Sequence, residues 1–199
     1  MPDFDDDEYE SFDLEDSGDD SDAEADAVDD GTEDDDLDDA APDEIDFVVA
    51  AYREDGQPMV QALAADLAND LEELIIQLRR LPGDAGAIGF VSLVEEVFVI
   101  ARVRGQHVQL LLSDGAAATE WPIARDVADM LGEEIPDPED EEAEPMGDLG
   151  ILSDLGVSDF DMSTLIDNLD LSSDQMLIEI ADKIKIGPQF RKVAESAFP

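Results

Sequence analysis

The side chains in this chain that could do chemistry are mostly carboxylates. Its 199 residues hold 56 Asp and Glu against 10 Lys and Arg, with one His and no Cys. His107 is the only imidazole, so any histidine-based acid–base chemistry or metal cluster would have to be built around it. Ser113 lies on the same face of the same predicted strand, but six residues at about 3.4 Å each put it roughly 20 Å away. Asp114 is farther still. The three cannot form a nucleophilic triad, which requires hydrogen-bond contact. Without Cys there is no thiol nucleophile, no disulfide and no cysteine zinc site.

Two other patterns invite a chemical reading. Asp159, Asp161 and Ser163 have the alternate spacing of a calcium loop. The sixth position of such a loop should be Gly and is Thr164, and the twelfth should be Glu and is Asp170. Capping of a helix start explains these acids better. Gly83, Gly86 and Gly89 are spaced by three, but they precede a strand rather than a helix. They read as turn glycines and not as a phosphate loop. Nothing here implies a cofactor or a bound metal, and no catalytic residue is expected.

The densest basic spot is a predicted hairpin. Gly105-Gln106 fits a two-residue loop with Gly first. The pairing that follows sets Arg104 opposite His107, Arg102 opposite Gln109 and Ile100 opposite Leu111. On the other face Val103 meets Val108, Ala101 meets Leu110 and Val99 meets Leu112. That second face is wholly apolar and must face a core. The first face gathers Arg102, Arg104, His107 and Gln109. It reads either as a grip for an anion or an acidic partner loop, or as a solvated hairpin end whose Arg stems cover apolar surface. Trp121 is a further candidate contact: exposed, it would anchor a partner; otherwise it serves the core or the start of a helix. Lys183, Lys185, Arg191 and Lys192 make the C-terminal end mildly basic, and dipole compensation accounts for the two at a helix end.

The elements that must position these residues follow from composition and period. Residues 1–44 carry 24 acids and no Lys or Arg, and residues 136–148 carry seven acids and no base. These two stretches hold about two-thirds of the net charge of −46. Such runs cannot bury apolar surface, so 1–44 is expected to be a disordered acidic tail and 136–147 an acidic linker punctuated by Pro136 and Pro138. Between them, residues 45–135 carry sixteen acids and six bases and are expected to fold as an α+β domain. The apolar run Phe47–Tyr52 predicts a strand, and Asp55-Gly56 a turn. Residues 57–62 are open between a returning strand and the start of a helix.

From Ala62 the leucines at 63, 67, 71, 74, 78 and 81 fall on one helical stripe, ended by Pro82-Gly83. It reads as a helix covering a sheet rather than a coiled-coil seam. Ile88–Val94, Val97–Arg104 and His107–Ser113 predict three strands. Trp121-Pro122 opens a short helix that Gly132 ends. Residues 148–199 read as a small helical unit. Ser158 caps a helix with Phe160, Met162, Leu165, Ile166 and Leu169. Ser172 or Ser173 caps the next, and Gly187-Pro188 introduces a last one. The fold class expected is α+β: an antiparallel sheet covered by a long helix, then the helical unit. No apolar run approaches a membrane span, and the N-terminus lacks the basic and apolar regions of a secretory signal. Cytoplasmic residence is the expectation.

The order of motifs also resembles a known family. It runs from Gly86-Ala87-Ile88-Gly89-Phe90-Val91-Ser92 to Val99-Ile100-Ala101-Arg102-Val103-Arg104-Gly105. Leu110-Leu111-Leu112-Ser113-Asp114 and Thr119-Glu120-Trp121-Pro122-Ile123-Ala124-Arg125-Asp126 come next, then Gly147-Asp148-Leu149-Gly150 through Gly156. The series, over roughly 45–195, resembles the actinobacterial tRNA adenosine deaminase-associated proteins. The resemblance implies an accessory partner of the deaminase that makes inosine at the tRNA wobble position, and it carries over no catalytic residue. The deaminase signature itself, H-x-E with P-C-x-x-C, is missing, since Val108 and Gln109 follow His107 and Cys is absent. The expected partner is that deaminase, or alternatively another basic protein surface, with no direct nucleic-acid or membrane binding.

Overall fold

The computed structural model describes residues 37–83, 85–139 and 144–198. The apolar run forms the middle of β1 (Ile45–Glu54), and Asp55 and Gly56, both at positive φ, turn it into β2 (Gln57–Ala62). The segment left open between strand and helix is therefore a strand. β3 (Ala87–Leu93), β4 (Val97–Arg104) and β5 (His107–Leu112) follow, and β6 (Met146–Gly147) closes a six-stranded sheet. Its order is β2-β1-β3-β4-β5-β6, with every pairing antiparallel. The β4–β5 register is the expected one throughout, from Arg104 opposite His107 to Val99 opposite Leu112.

The leucine stripe does not form one helix. Leu63 lies in a loop, Leu67 in a short 3-10 turn, and α1 runs only Leu71–Arg80. Asp70 causes the break. Its backbone is extended, and its carboxylate accepts the Glu73 N–H at 2.8 Å. A short acid that bonds the first helical donors starts a helix rather than continuing one. Leu71, Leu74, Ile75 and Leu78 of α1 then pack on the sheet beside Ile123, Ala124 and Val127 of α2 (Pro122–Leu131). Gly89 lets α1 lie close to β3: a Cβ there would stand 3.0 Å from Leu78 Cδ1.

The opposite sheet face is not open. Phe47, Val49, Phe90, Phe98, Ile100 and Leu111 form a second core with three helices, α3 (Asp159–Ile166), α4 (Ser173–Lys183) and α5 (Gly187–Ala197). Phe190 sits at its centre, edge-on to Phe47 and to Phe90 at 5.3 Å each. Strands covered on both faces read as continuous apolar runs, which explains the composition of β1, β3 and β4. Ser158 caps α3 through a capping box with Asp161, so these acids do serve a helix start. Ser172 is the N-cap residue of α4, while Ser173 is buried against Ser92, their hydroxyls 2.7 Å apart. α3 is shorter than expected: Leu169 lies beyond it and is 93% exposed, and Phe160 points away from the core at 78% exposed.

Two boundaries differ from the sequence reading. The expected tail lies mostly outside the described residues, but folding begins before Glu44. Ala40 is buried, its N–H bonding Asn69 Oδ1 at 2.8 Å while its carbonyl accepts from Asn69 Nδ2. The last residues of the expected linker are β6. There Gly147 has φ +99°, and a Cβ would meet the Leu110 carbonyl oxygen at 2.3 Å. The described residues all belong to one compact unit. Among them no helix is long and apolar enough to cross a membrane.

Phe190→Ala removes the ring that joins β1 and β3 to α5. It is expected to cost about 3–5 kcal/mol, read as a lower urea midpoint. A second expectation concerns Asp126, whose Oδ2 accepts the Leu71 N–H at 3.2 Å. Burial pushes its carboxyl above the usual range, against the lowering effect of that hydrogen bond, and Asp70, Asp129 and Glu72 push the same way as burial. The folded state thus holds this proton more tightly than the unfolded chain. Its contribution favours folding in acid and is lost as pH rises from the unfolded value, about 3.9, through the raised one. Asp126→Asn should therefore raise the melting temperature at neutral pH, with the gain disappearing in acid. Equal gains at both pH values in thermal melts would refute the assignment.

Candidate functional site

β4 and β5 bring the predicted basic face together as expected, but the C-terminal layer then covers part of it. Ile100 and Leu111 share that face with Arg102, so the face needed a cover. Arg102 is only 4% exposed. Its Nη1 donates to the Ile151 carbonyl at 2.7 Å and to Asp154 Oδ1 at 2.5 Å, and its Nη2 donates to Asp154 Oδ2 at 2.8 Å. Nε has no partner among the described residues. The hydrogen bond from Arg102 holds the Asp154 carboxyl below the usual range. Arg102 is thus no surface grip for a partner; it fastens the segment after β6 to the sheet, with a fork-to-fork pair.

Arg104 and His107 are exposed at the hairpin tip, and Gln109 is half-buried. Arg104 Nη2 donates to Gln109 Oε1 at 2.7 Å, and Gln109 Nε2 donates to Asp148 Oδ2 at 2.6 Å. The face therefore binds an acid, but the acid is Asp148 of the same chain. Ser113 is far from His107, as expected, and its hydroxyl accepts the Phe98 N–H at 2.9 Å. Trp121 does not join this group. It is the N-cap residue of α2, half-buried against the first core, and it borders a cleft of about 180 Å³ with Val97, Glu96, Asp114 and Glu120. Val97 and Arg104 are the two ends of β4, so Trp121 lies at the opposite end of the sheet from the basic tip.

The two ends also differ in the charges they gather, which the sequence reading missed, although Glu54, Asp55 and Asp148 lie at the same end as Arg104 and His107. Arg104 and His107 lie at the end of the sheet where β1 turns into β2, beside Arg53. The last turn of α1, with Arg79 and Arg80, leads to the same end, where Gly83 approaches Tyr52 and Arg53. Ile184 and Ile186, on either side of Lys185, border a cavity there with Tyr52 and Arg53. The other end presents Asp43, Asp46, Glu95, Glu96, Asp114, Glu120, Asp174 and Glu195 around two depressions that no Lys or Arg lines. Only the folded topology gathers these residues, since they span positions 43 to 195. Among the described residues no three His, Asp or Glu side chains are grouped to hold a metal ion.

Residues 46–187 match the family described as Rv3753c-like tRNA adenosine deaminase-associated protein. The chain belongs to this family. It is 35% identical over 159 residues to Protein Rv3753c of Mycobacterium tuberculosis, which covers 78% of this chain and 91% of that relative. No solved structure matches. The matched range holds the sheet from the second residue of β1 onward, α1 to α4 and the Arg102–Asp154 pair, and it leaves out the acidic run at 1–44 and nearly all of α5, with Phe190.

Replacing Asp154 by Ala leaves the buried Arg102 guanidinium short of two acceptors, at an expected cost of about 1–3 kcal/mol. Arg102→Met, which removes the charge as well, should cost less. Because the Asp154 carboxyl is held low, its contribution is present above the unfolded value and is lost as pH falls through the lowered one. Urea titrations of the two variants at neutral and acid pH check this. A larger loss for Arg102→Met than for Asp154→Ala would contradict the pair as described.

Proposed function

We propose that this chain is a non-catalytic accessory protein that binds a tRNA adenosine deaminase in the cytoplasm. The family description supplies the partner, and charge carries the physical reading. The net charge is −46, and one end of the sheet presents carboxylates with no base among them. An enzyme that binds tRNA must present a basic surface to the phosphate backbone. An acidic protein can dock on that surface, or screen it from unselected RNA. The non-catalytic reading is supported by the engagements of the groups most able to react. The Ser113 hydroxyl and the Asp114 carboxylate accept backbone N–H groups, Asp154 neutralises Arg102, and His107 stands at an exposed hairpin tip.

The test is capture of purified deaminase by the full chain at rising salt. Capture is expected at low salt, falling about tenfold or more between about 50 and 200 mM. Capture that ignores salt, or none at low salt, would overturn the proposal. Removing residues 1–36 keeps Ala40 and its bonds to Asn69, and it separates two readings. If the shortened chain still selects the deaminase over an unrelated basic protein, the folded part carries recognition. If selection disappears, the chain is a general acidic binder of basic surfaces.

A further inference from the structure

We propose that a groove at the acidic end of the sheet is the docking site for a cationic segment of the partner protein, with an aliphatic or aromatic residue seated on its floor. The inference deepens the accessory-protein reading and rests on it. The groove follows from strand lengths. β2 ends at Ala62, opposite Val49, so the first residues of β1 extend beyond their neighbour on that side. A bulge at Asp46 lies in the same stretch. The end of α5 and the outer side of α4 form the other wall. The open space between these walls is about 740 Å³.

Its floor is apolar: Ile45, Phe47, Ile178, Ala194 and Phe198. Ile178 and Phe198 are only half-buried, so part of this apolar surface remains in contact with water. Its rim is anionic: Asp43, Asp46, Glu95, Asp174 and Glu195. Two of these are already engaged. Asp46 accepts the Ser92 hydroxyl and the Glu95 N–H at 2.8 Å each, and Asp174 accepts the Ser172 hydroxyl. Asp43, Glu95 and Glu195 are exposed, and their carboxylates make no hydrogen bond or ion pair among the described residues.

Charge selects the occupant. The acidic run of this chain, a nucleic acid and an anionic membrane would each bring more negative charge to the rim, and a second copy would bring a net charge of −46 toward it. A basic peptide segment neutralises the rim, and an apolar residue within it covers Ile178 and Phe198. This pairing of a desolvated anchor with peripheral charges is the usual division between affinity and steering at interfaces.

The test uses the full chain and two labelled short peptides of equal length and charge, alternating Lys with Leu or Lys with Ser, followed by fluorescence anisotropy. The Lys–Leu peptide is expected to bind about tenfold tighter than the Lys–Ser peptide. The double variant Asp43→Lys, Glu195→Lys should weaken the Lys–Leu peptide about tenfold. A control of the same net charge, Asp167→Lys with Asp170→Lys on the exposed turn after α3, should stay within about twofold. Thermal melts confirm that both variants fold. Equal binding of the two peptides, or equal weakening by the control, would sink the groove. Capture of the deaminase then separates the two proposals. If wild type and groove variant capture it equally, the groove is wrong and the accessory reading stands. If wild type fails to capture it, the accessory reading falls and the peptide result alone decides the groove.

Discussion

Everything in this fold depends on a sheet whose central strands are apolar on both faces. β3 and β4 have almost no polar side to give to water, so each face needs a cover. α1 and α2 cover one, and α3, α4 and α5 cover the other. Neither layer is optional: taking one away would expose a row of large apolar side chains, such as Phe90, Phe98, Ile100 and Leu111. Arg102 is the one charge carried into this arrangement among the buried residues described, and it is accommodated because Asp154 and the Ile151 carbonyl meet it there.

The same topology sorts charge. Antiparallel strands alternate their ends, so residues distant in sequence meet at one end of the sheet. Here the bases of β1, α1 and β4 go to one end and the acids of the β3–β4 turn, α4 and α5 to the other. An acidic protein thereby gains a direction. A basic partner meets exposed carboxylates with no base among them at one end, and Arg53, Arg104 and His107 interspersed with Glu54, Asp55 and Asp148 at the other.

Much of the fold was legible in the sequence. The β4–β5 register followed from a two-residue loop and an apolar alternation, because those features leave one pairing that buries a complete face. The stop of α2 at Gly132 and the cap at Ser158 were legible for the same local reason. What failed was nonlocal. Leucine spacing gave no hint that Asp70 takes an extended backbone and splits the stripe. The basic face looked open because its cover lies about fifty residues farther along the chain, and Asp154 has no local tie to Arg102. The apolar residues beside Arg102 on its own face were the available sign that it would be covered. The helix expected to open at Trp121-Pro122 does so, while the distance of Trp121 from Arg104 needed the sheet's two ends to be told apart. The acidic groove had no sequence signal at all, since its walls come from both ends of the described chain.

The outermost strands have a consequence for behaviour at high concentration. β2 is an edge strand with Pro58 near its start, and Pro has no N–H to offer an incoming strand. At the opposite margin β6 is two residues long and ends in Gly147 at positive φ, which bends the backbone away from a straight ladder. A sheet this rich in Val, Ile and Phe would otherwise recruit copies of itself edge to edge. With both margins blunted, neither edge of the described sheet offers a long straight ladder to another copy, even where the charge is screened by salt.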